Sequence, residues 1–187
     1  MRHWIVLPIK APADCKTRLR GVLDDAAREA LVADMLHHVV AACSQVAGAA
    51  VFLLGPERHG LPVDLLADPG GGLNAALTAA VRAAEAAAVD RITFISADLP
   101  HVETTEIARL LQGAATIAPD RAGTGTNALS LPLLAATRFT FHYGADSFAR
   151  HRAEAERLGL RMTPVESPGL AFDIDLPEDL ATASRTS

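Results

Sequence analysis

The sequence predicts an α/β fold, a mainly parallel mixed sheet flanked by helices. Two observations carry this. Short apolar runs alternate along the chain with longer stretches of helical periodicity, the pattern of a parallel sheet covered on both faces. The acidic, basic and glycine-rich segments follow predicted strands, and ligands of such sheets bind beyond the strand C-termini.

The elements follow in order. Trp4 to Leu7 is a short apolar run stopped by Pro8, which predicts a buried first strand. Ile9 to Gly21 is a loop carrying Lys10, Lys16, Arg18 and Arg20. Asp24 or Asp25 caps the next helix. There Leu31, Met35, Val39 and Cys43 recur every four residues beside the stripe Val32, Leu36 and Val40, making one broad core-facing surface. Ala50 to Leu54 is a second strand ended by Gly55-Pro56, and Leu61 to Ala67 a short third strand with its approach. Pro69-Gly70-Gly71-Gly72 breaks the chain before a helix from Asn74 to Ala88. Ile92 to Ser96 is the next strand, and Thr104 or Thr105 opens another helix. Ala115 to Ala118 and Ala128 to Leu131 are strands separated by the loop Pro119 to Thr126. Asp146 to Leu158 is a helix with Phe148, His151, Ala155 and Leu158 on one side. Arg161 to Val165 is a late strand, and Pro177 to Ala183 a short final helix.

Composition sets bounds. At 187 residues the chain is expected to form a single domain over 1–187, large enough to bury a real core. A net charge of −5 argues against a general nucleic-acid binder, though a local cationic loop suffices for a nucleotide. Cys15 and Cys43 form no Cys-x-x-Cys pattern, so neither a disulfide framework nor a zinc site is expected, and reduced thiols fit a cytoplasmic protein. The apolar run before Pro8 is too short for a signal peptide or a membrane span, so no membrane partner is expected.

Chemistry concentrates at the strand ends. Asp98-Leu99-Pro100 follows Ile92 to Ile95, and Asp173-Ile174-Asp175 follows Leu170 and Phe172. Any one of these acids reads equally well as a turn former or helix cap. Three together suggest a divalent-metal site, and hard oxygen ligands suit Mg²⁺. Lys10, Lys16 and Arg18 supply the complement, since a triphosphate needs nearby cations as charge builds on the leaving pyrophosphate. The Walker A pattern is absent. Metal on one side and fixed cations on the other describe phosphoryl or nucleotidyl transfer.

Three further loops bear on binding. Gly70-Gly71-Gly72-Leu73-Asn74 permits close backbone approach to a ligand, and Asn74 is placed to read a base edge. Taken alone, a glycine run is a plain turn. Gly123-Thr124-Gly125-Thr126-Asn127 offers hydroxyls and amides to an anionic acceptor. Tyr143 to Phe148 opens a helix whose first amides, with the Ser147 hydroxyl, favour an anion, while Asp146 also suits a simple N-cap. The seven histidines form no ligand set, although His101, His142 and His151 fall near these loops.

These segments, in this order, resemble the guanylyltransferases of coenzyme F-420 biosynthesis, the family of 2-phospho-L-lactate and phosphoenolpyruvate guanylyltransferases. The resemblance runs through Pro8-x-Lys10, Lys16-Thr17-Arg18-Leu19, Gly72-Leu73-Asn74, Asp98-Leu99-Pro100, Pro119-Asp120-Arg121, Gly125-Thr126-Asn127, Tyr143-Gly144, Ser147-Phe148, His151 and Asp173-Ile174-Asp175. It covers nearly the whole chain. Each motif is weak alone; the ordered set is specific. It implies a nucleotidyltransferase fold related to glycosyltransferase-A and nucleotide-diphospho-sugar transferase domains. It further implies that Asp98, Asp173 and Asp175 bind metal and that Thr126, Gly144 and Ser147 hold a phosphorylated three-carbon acid. Lys10, Lys16, Arg18, Gly71, Gly72 and Asn74 fall where GTP is held, and Asp98, Lys10, Lys16 and Arg18 carry catalysis with Mg²⁺. Cys15, where the family more often has a small residue, and Leu176, in place of a threonine, depart from the pattern and leave acceptor choice open.

The implied partners are GTP and phosphoenolpyruvate, 2-phospholactate or 3-phosphoglycerate, with a homodimer left open. Three rivals are weighed. A molybdenum-cofactor or sugar-phosphate nucleotidyltransferase wants a glycine-rich signature after the first strand, which is missing. A phosphohydrolase wants an Asp where Pro8 and Lys10 stand. A non-catalytic nucleotide-binding regulator has no need of all three acids and the basic loop.

Overall fold

The computed structural model describes residues 2–11 and 15–183; Pro12, Ala13 and Asp14 of the basic loop, Met1 and residues 184–187 lie outside them. Among the described residues there are seven strands: β1 (His3–Pro8), β2 (Ala49–Gly55), β3 (Asp64–Ala67), β4 (Arg91–Ile95), β5 (Ala115–Pro119), β6 (Thr126–Pro132) and β7 (Met162–Pro164). The helices are α1 (Asp25–Ser44), α2 (Leu73–Ala86), α3 (Thr104–Leu110), α4 (Leu133–Ala136), α5 (Ser147–Arg157), α6 (Pro168–Ala171) and α7 (Pro177–Ala183), with a 3₁₀ turn at Thr17–Gly21. The strands make one sheet in the order β3-β2-β1-β4-β6-β5-β7. All neighbours are parallel except β6, which runs antiparallel to β4 and β5. Among the described residues, no helix is long and apolar enough to cross a membrane.

Both faces of the sheet are buried, which is why the strands read as continuous apolar runs. Ile5 and Leu7 enter a core with Leu36, Val39 and Leu53 under α1 and α3. Val6, between them, enters the opposite core with Leu77, Val81, Phe94 and Leu129 under α2 and α5. Period-two alternation sends successive side chains to opposite layers, so neither position tolerates a polar group.

Local chemistry sets the boundaries. Asp24 caps α1, accepting from the Ala27 N–H at 2.7 Å. α3 begins at Thr104, as expected, and is capped by Glu103 through a reciprocal capping box with Glu106. Gly70, Gly71 and Gly72 all have φ between 83° and 87°, which explains three consecutive glycines before α2. The third strand occupies Asp64–Ala67, with the residues from Leu61 as its approach, and the late strand is trimmed to Met162–Pro164. The four-residue helices α4 and α6 were not anticipated, because one turn shows no periodicity; α6 holds Leu170 where a strand was expected to end before Asp173.

Two features of this topology build a ligand edge. The sheet order turns between β1 and β4: the chain leaves β1 for β2 on one side and later returns to place β4 on the other. A crevice opens at such a switch point, beyond the strand C-termini. Because β6 is reversed, its first residues, Thr126 and Asn127, reach the same edge.

Candidate active site

A cleft of about 270 Å³ lies at this switch point. Pro8, Ile9 and Lys10 line it from the end of β1, and Phe94, Ile95, Ser96, Ala97 and Asp98 from the end of β4. Cys15, Lys16, Asp68, Gly72, Leu73 and Tyr143 close its sides. The β1 end is held tightly. The Ile9 N–H donates to the Leu54 carbonyl at 2.9 Å, and a Cβ on Gly55 would run into the Ile9 carbonyl.

Three carboxylates converge at one end of the cleft. Asp98, Asp173 and Asp175 each present an oxygen, and these atoms lie within 4.8 Å of one another. Two oxygens on one Mg²⁺ sit roughly 3 to 4 Å apart, so small side-chain rotations would bring this set onto an ion. Burial first, then the neighbouring Asp98 charge, raises the Asp173 carboxyl above its ordinary range, although the Asn127 amide at 3.3 Å pulls the other way. Three carboxylates this close together repel one another, and a cation among them relieves that repulsion. The donor set, all hard oxygen, fits a divalent metal.

Lys16 provides one such charge. Its ammonium contacts Asp98 Oδ2 and lies 2.7 Å from Asp175 Oδ1, with only 7 % of the side chain exposed. Burial works against the charged form, but the two carboxylates together outweigh it and raise the ammonium above its usual value. Lys16 has φ 51°, and the segment around it is anchored from below. Leu19 is fully buried, and the buried Arg28 donates to the Cys15 carbonyl at 2.6 Å. Arg18 stays exposed, with a guanidinium nitrogen 3.9 Å from Asp175. Lys10 is exposed at the cleft mouth.

The second acidic segment is also braced. The buried Asp179 accepts from the Asp175 and Leu176 N–H groups at 3.0 and 2.8 Å and from Arg121 at 2.6 Å. Burial alone would raise the Asp179 carboxyl; these three donors outweigh it and hold it below the ordinary range. Arg121 also lies over the Phe172 ring at 5.2 Å. The Asn127 amide donates to the Leu170 carbonyl as well as to Asp173, tying β6 to the acids.

The structure thus brings Lys10, Lys16, Gly72 and Asp98 to one cleft, with Arg18, Asp173 and Asp175 at its acidic end. Gly71 is exposed and outside the lining. Asn74 is tied to the neighbouring loop: Nδ2 donates to the Tyr143 carbonyl at 3.2 Å, and Oδ1 accepts from the Tyr143 N–H at 2.8 Å. It clamps Tyr143 into the cleft wall. Asp146 makes no side-chain cap on α5. Thr126 and Ser147 are buried and bonded to one another at 3.2 Å, and Thr126 also to His151 at 3.1 Å; Gly144 beside them is exposed with φ 124°. Sequence reasoning missed the bracing role of Arg28, Arg121, Asn127 and Asp179. Arg121 and Asn127 did lie in segments marked as loops of interest.

A switch-point cleft with fixed cations at one strand end and a three-carboxylate cluster facing them defines a nucleotidyltransferase. The comparisons carry this to the family. The profile described as Guanylyl transferase CofC like matches residues 3–183, and the chain belongs to that family. It is 38% identical over 190 residues to a phosphoenolpyruvate guanylyltransferase of Chloroflexus aurantiacus, covering 94% of this chain and 91% of that protein. It is 38% identical over 192 residues to the phosphoenolpyruvate guanylyltransferase of Rubrobacter xylanophilus, covering 97% and 93%. Among solved structures, a Desulfovibrio desulfuricans protein described as a nucleotide-diphospho-sugar transferase superposes with a TM-score of 0.81 at 19% identity, covering 100% of this chain and 88% of that one, a likeness of fold.

Proposed function

We propose that this protein transfers GMP from GTP to phosphoenolpyruvate, or to the related acids 2-phospho-L-lactate or 3-phosphoglycerate, in the biosynthesis of coenzyme F-420. The observation that carries the reading is the meeting of Lys16 with Asp98 and Asp175 at the switch-point cleft, in a chain whose relatives bear the phosphoenolpyruvate guanylyltransferase name.

The reaction is attack by a phosphate oxygen of the acceptor on the α-phosphorus of GTP. The new O–P bond forms as the bond to the β-phosphate oxygen breaks, and pyrophosphate departs. No covalent enzyme intermediate is needed, so the protein contributes positioning and charge stabilisation. The Asp98, Asp173 and Asp175 carboxylates would hold Mg²⁺, which when bound neutralises charge on the reacting phosphates. Lys10, Lys16 and Arg18 take the triphosphate, and Lys16 exchanges its carboxylate partners for phosphate oxygens when GTP and metal arrive. Gly71 and Gly72 let the backbone approach the nucleotide closely. Asn74 serves it through Tyr143, whose ring helps wall the cleft. Thr126, Gly144 and Ser147 hold the acceptor acid. This reading makes the protein a cytoplasmic enzyme whose partners are GTP and the acid, with no membrane or nucleic acid involved.

The test is a panel of the three acids with GTP and Mg²⁺, read by mass spectrometry. A guanylylated phosphoenolpyruvate with stoichiometric pyrophosphate is the expected result. Pyrophosphate-free incubations with every acid would overturn the reading.

A further inference from the structure

His151 lies on α5 one turn after Ser147 and is fully buried. Its Nε2 lies 2.9 Å from the His142 backbone nitrogen, and its Nδ1 lies 3.1 Å from Thr126 Oγ1. A backbone N–H can only donate. Nε2 must therefore accept, and the neutral ring carries its proton on Nδ1. Burial, with the adjacent His142 second, lowers the ring's pKa to about 4, so it is neutral at ordinary pH.

From that proton the rest of the network follows. Nδ1–H donates to Thr126 Oγ1, and Ser147 Oγ lies 3.2 Å from the same oxygen. Thr126 and Ser147 bring two hydroxyl protons and share one bond. Whichever donates to the other, one proton of the pair has no acceptor among the described residues. Were the ring protonated on Nε2 instead, Thr126 would donate to Nδ1 and the pair would present lone pairs. The triangle sits beside the cleft. The Tyr143 ring, part of the cleft wall, meets the His151 ring edge-on at 4.8 Å, and Asn127, next to Thr126, contacts Asp173.

We propose that His151 is a positioning residue: by donating from Nδ1 it holds the Thr126–Ser147 pair in the polarity that presents a hydroxyl donor, and not a lone pair, to the anionic groups of the phosphorylated acid. The proposal rests on the reading of Thr126 and Ser147 as acceptor contacts. It explains why a buried histidine is bonded to Thr126 one turn after Ser147.

The two ring nitrogens can be tested separately. An asparagine amide reaches the Nδ1 position, so His151→Asn keeps the donor to Thr126. A glutamine amide reaches the Nε2 position, so His151→Gln keeps the acceptor for His142 N–H and loses the donor. Steady-state kinetics with each substrate varied in turn should show His151→Gln raising the acceptor KM about tenfold or more, the scale of one hydrogen bond to a charged group. His151→Asn should stay within about threefold of the parent, and the GTP KM should hold in both. A purely structural role predicts the reverse order, or GTP and acceptor moving together, and either result overturns the proposal. Thr126→Val and Ser147→Ala separate it from its premise. If they leave the acceptor KM unchanged, the acceptor reading fails and this inference with it; if they raise it and His151→Gln does not, only the polarity role fails. Should the variants not fold, imidazole nitrogen NMR of the labelled parent decides: a proton on Nδ1 is expected, and a proton on Nε2 overturns the proposal.

Discussion

Replacing Lys16 by methionine keeps most of the bulk of the stem and removes the ammonium that now bridges Asp98 and Asp175. Three carboxylates would then stand with oxygens within 4.8 Å of one another and no lysine among them. Two unit charges at that separation repel by about 0.9 kcal/mol in water and about 3.5 kcal/mol at an effective dielectric constant of 20. Asp98 is 27 % exposed and Asp175 48 %, so water screens the cluster and the lower half of that range applies. A loss of about 1 to 2 kcal/mol in chelator follows, which for a chain of this size lowers Tm by roughly 2–8 °C. Divalent metal supplies the charge that Lys16 supplied, without having to displace it. The variant should regain more Tm than the parent on adding Mn²⁺, and bind the ion roughly tenfold more tightly in the absence of nucleotide, the equivalent of about 1.4 kcal/mol. Calorimetric melting with chelator or Mn²⁺, and calorimetric titration of Mn²⁺, measure both. Unchanged melting in chelator, or weaker metal binding by the variant, would refute the reasoning.

Other outcomes follow from the same structure. Asp98→Asn and Asp175→Asn should each lower turnover at least about a hundredfold, as expected for a major electrostatic contribution, while far-ultraviolet dichroism stays unchanged. Asn74→Ala should cost about 1–3 kcal/mol in urea unfolding, because it strands both backbone groups of Tyr143. The buried His151, lowered to about 4, gives stability a pH slope: between the ordinary histidine value of 6.5 and about 4 the unfolded chain binds a proton that the folded chain refuses. Stability therefore falls as pH drops through that window, by up to about 1.4 kcal/mol per unit, and His151→Asn should remove that part of the slope in unfolding curves taken from pH 7 to 4.

The strands were legible because burial on both faces turns them into apolar runs; Ile92 to Ile95 could be little else. The direction of β6 was not, since Ala128 to Leu131 reads the same in either sense and only its partners in β4 and β5 fix it. Asp98 and Lys16 could be anticipated from position, because one follows β4 and the other lies in the loop after β1, whereas Asp173 and Asp175 follow the helix α6 and not the strand expected there. The partners of buried polar groups could not. Nothing local to Asn74 shows that its amide bonds Tyr143, 69 residues away. His151 showed only a place on a helix face, and its meaning depends on which atoms lie beside Nδ1 and Nε2. Asp179 and Arg121 carried no sign that together they hold the Asp175 backbone.

The central claim is transfer of a guanylyl group, with the α-phosphorus of GTP as the centre attacked. Incubating the protein with phosphoenolpyruvate, Mg²⁺ and GTP radiolabelled at either the α- or the γ-phosphorus tests it most directly. The α-label should appear in the three-carbon product and the γ-label in pyrophosphate. A γ-label in the acid, or in free phosphate without pyrophosphate, would mean phosphoryl transfer or hydrolysis and would contradict the account.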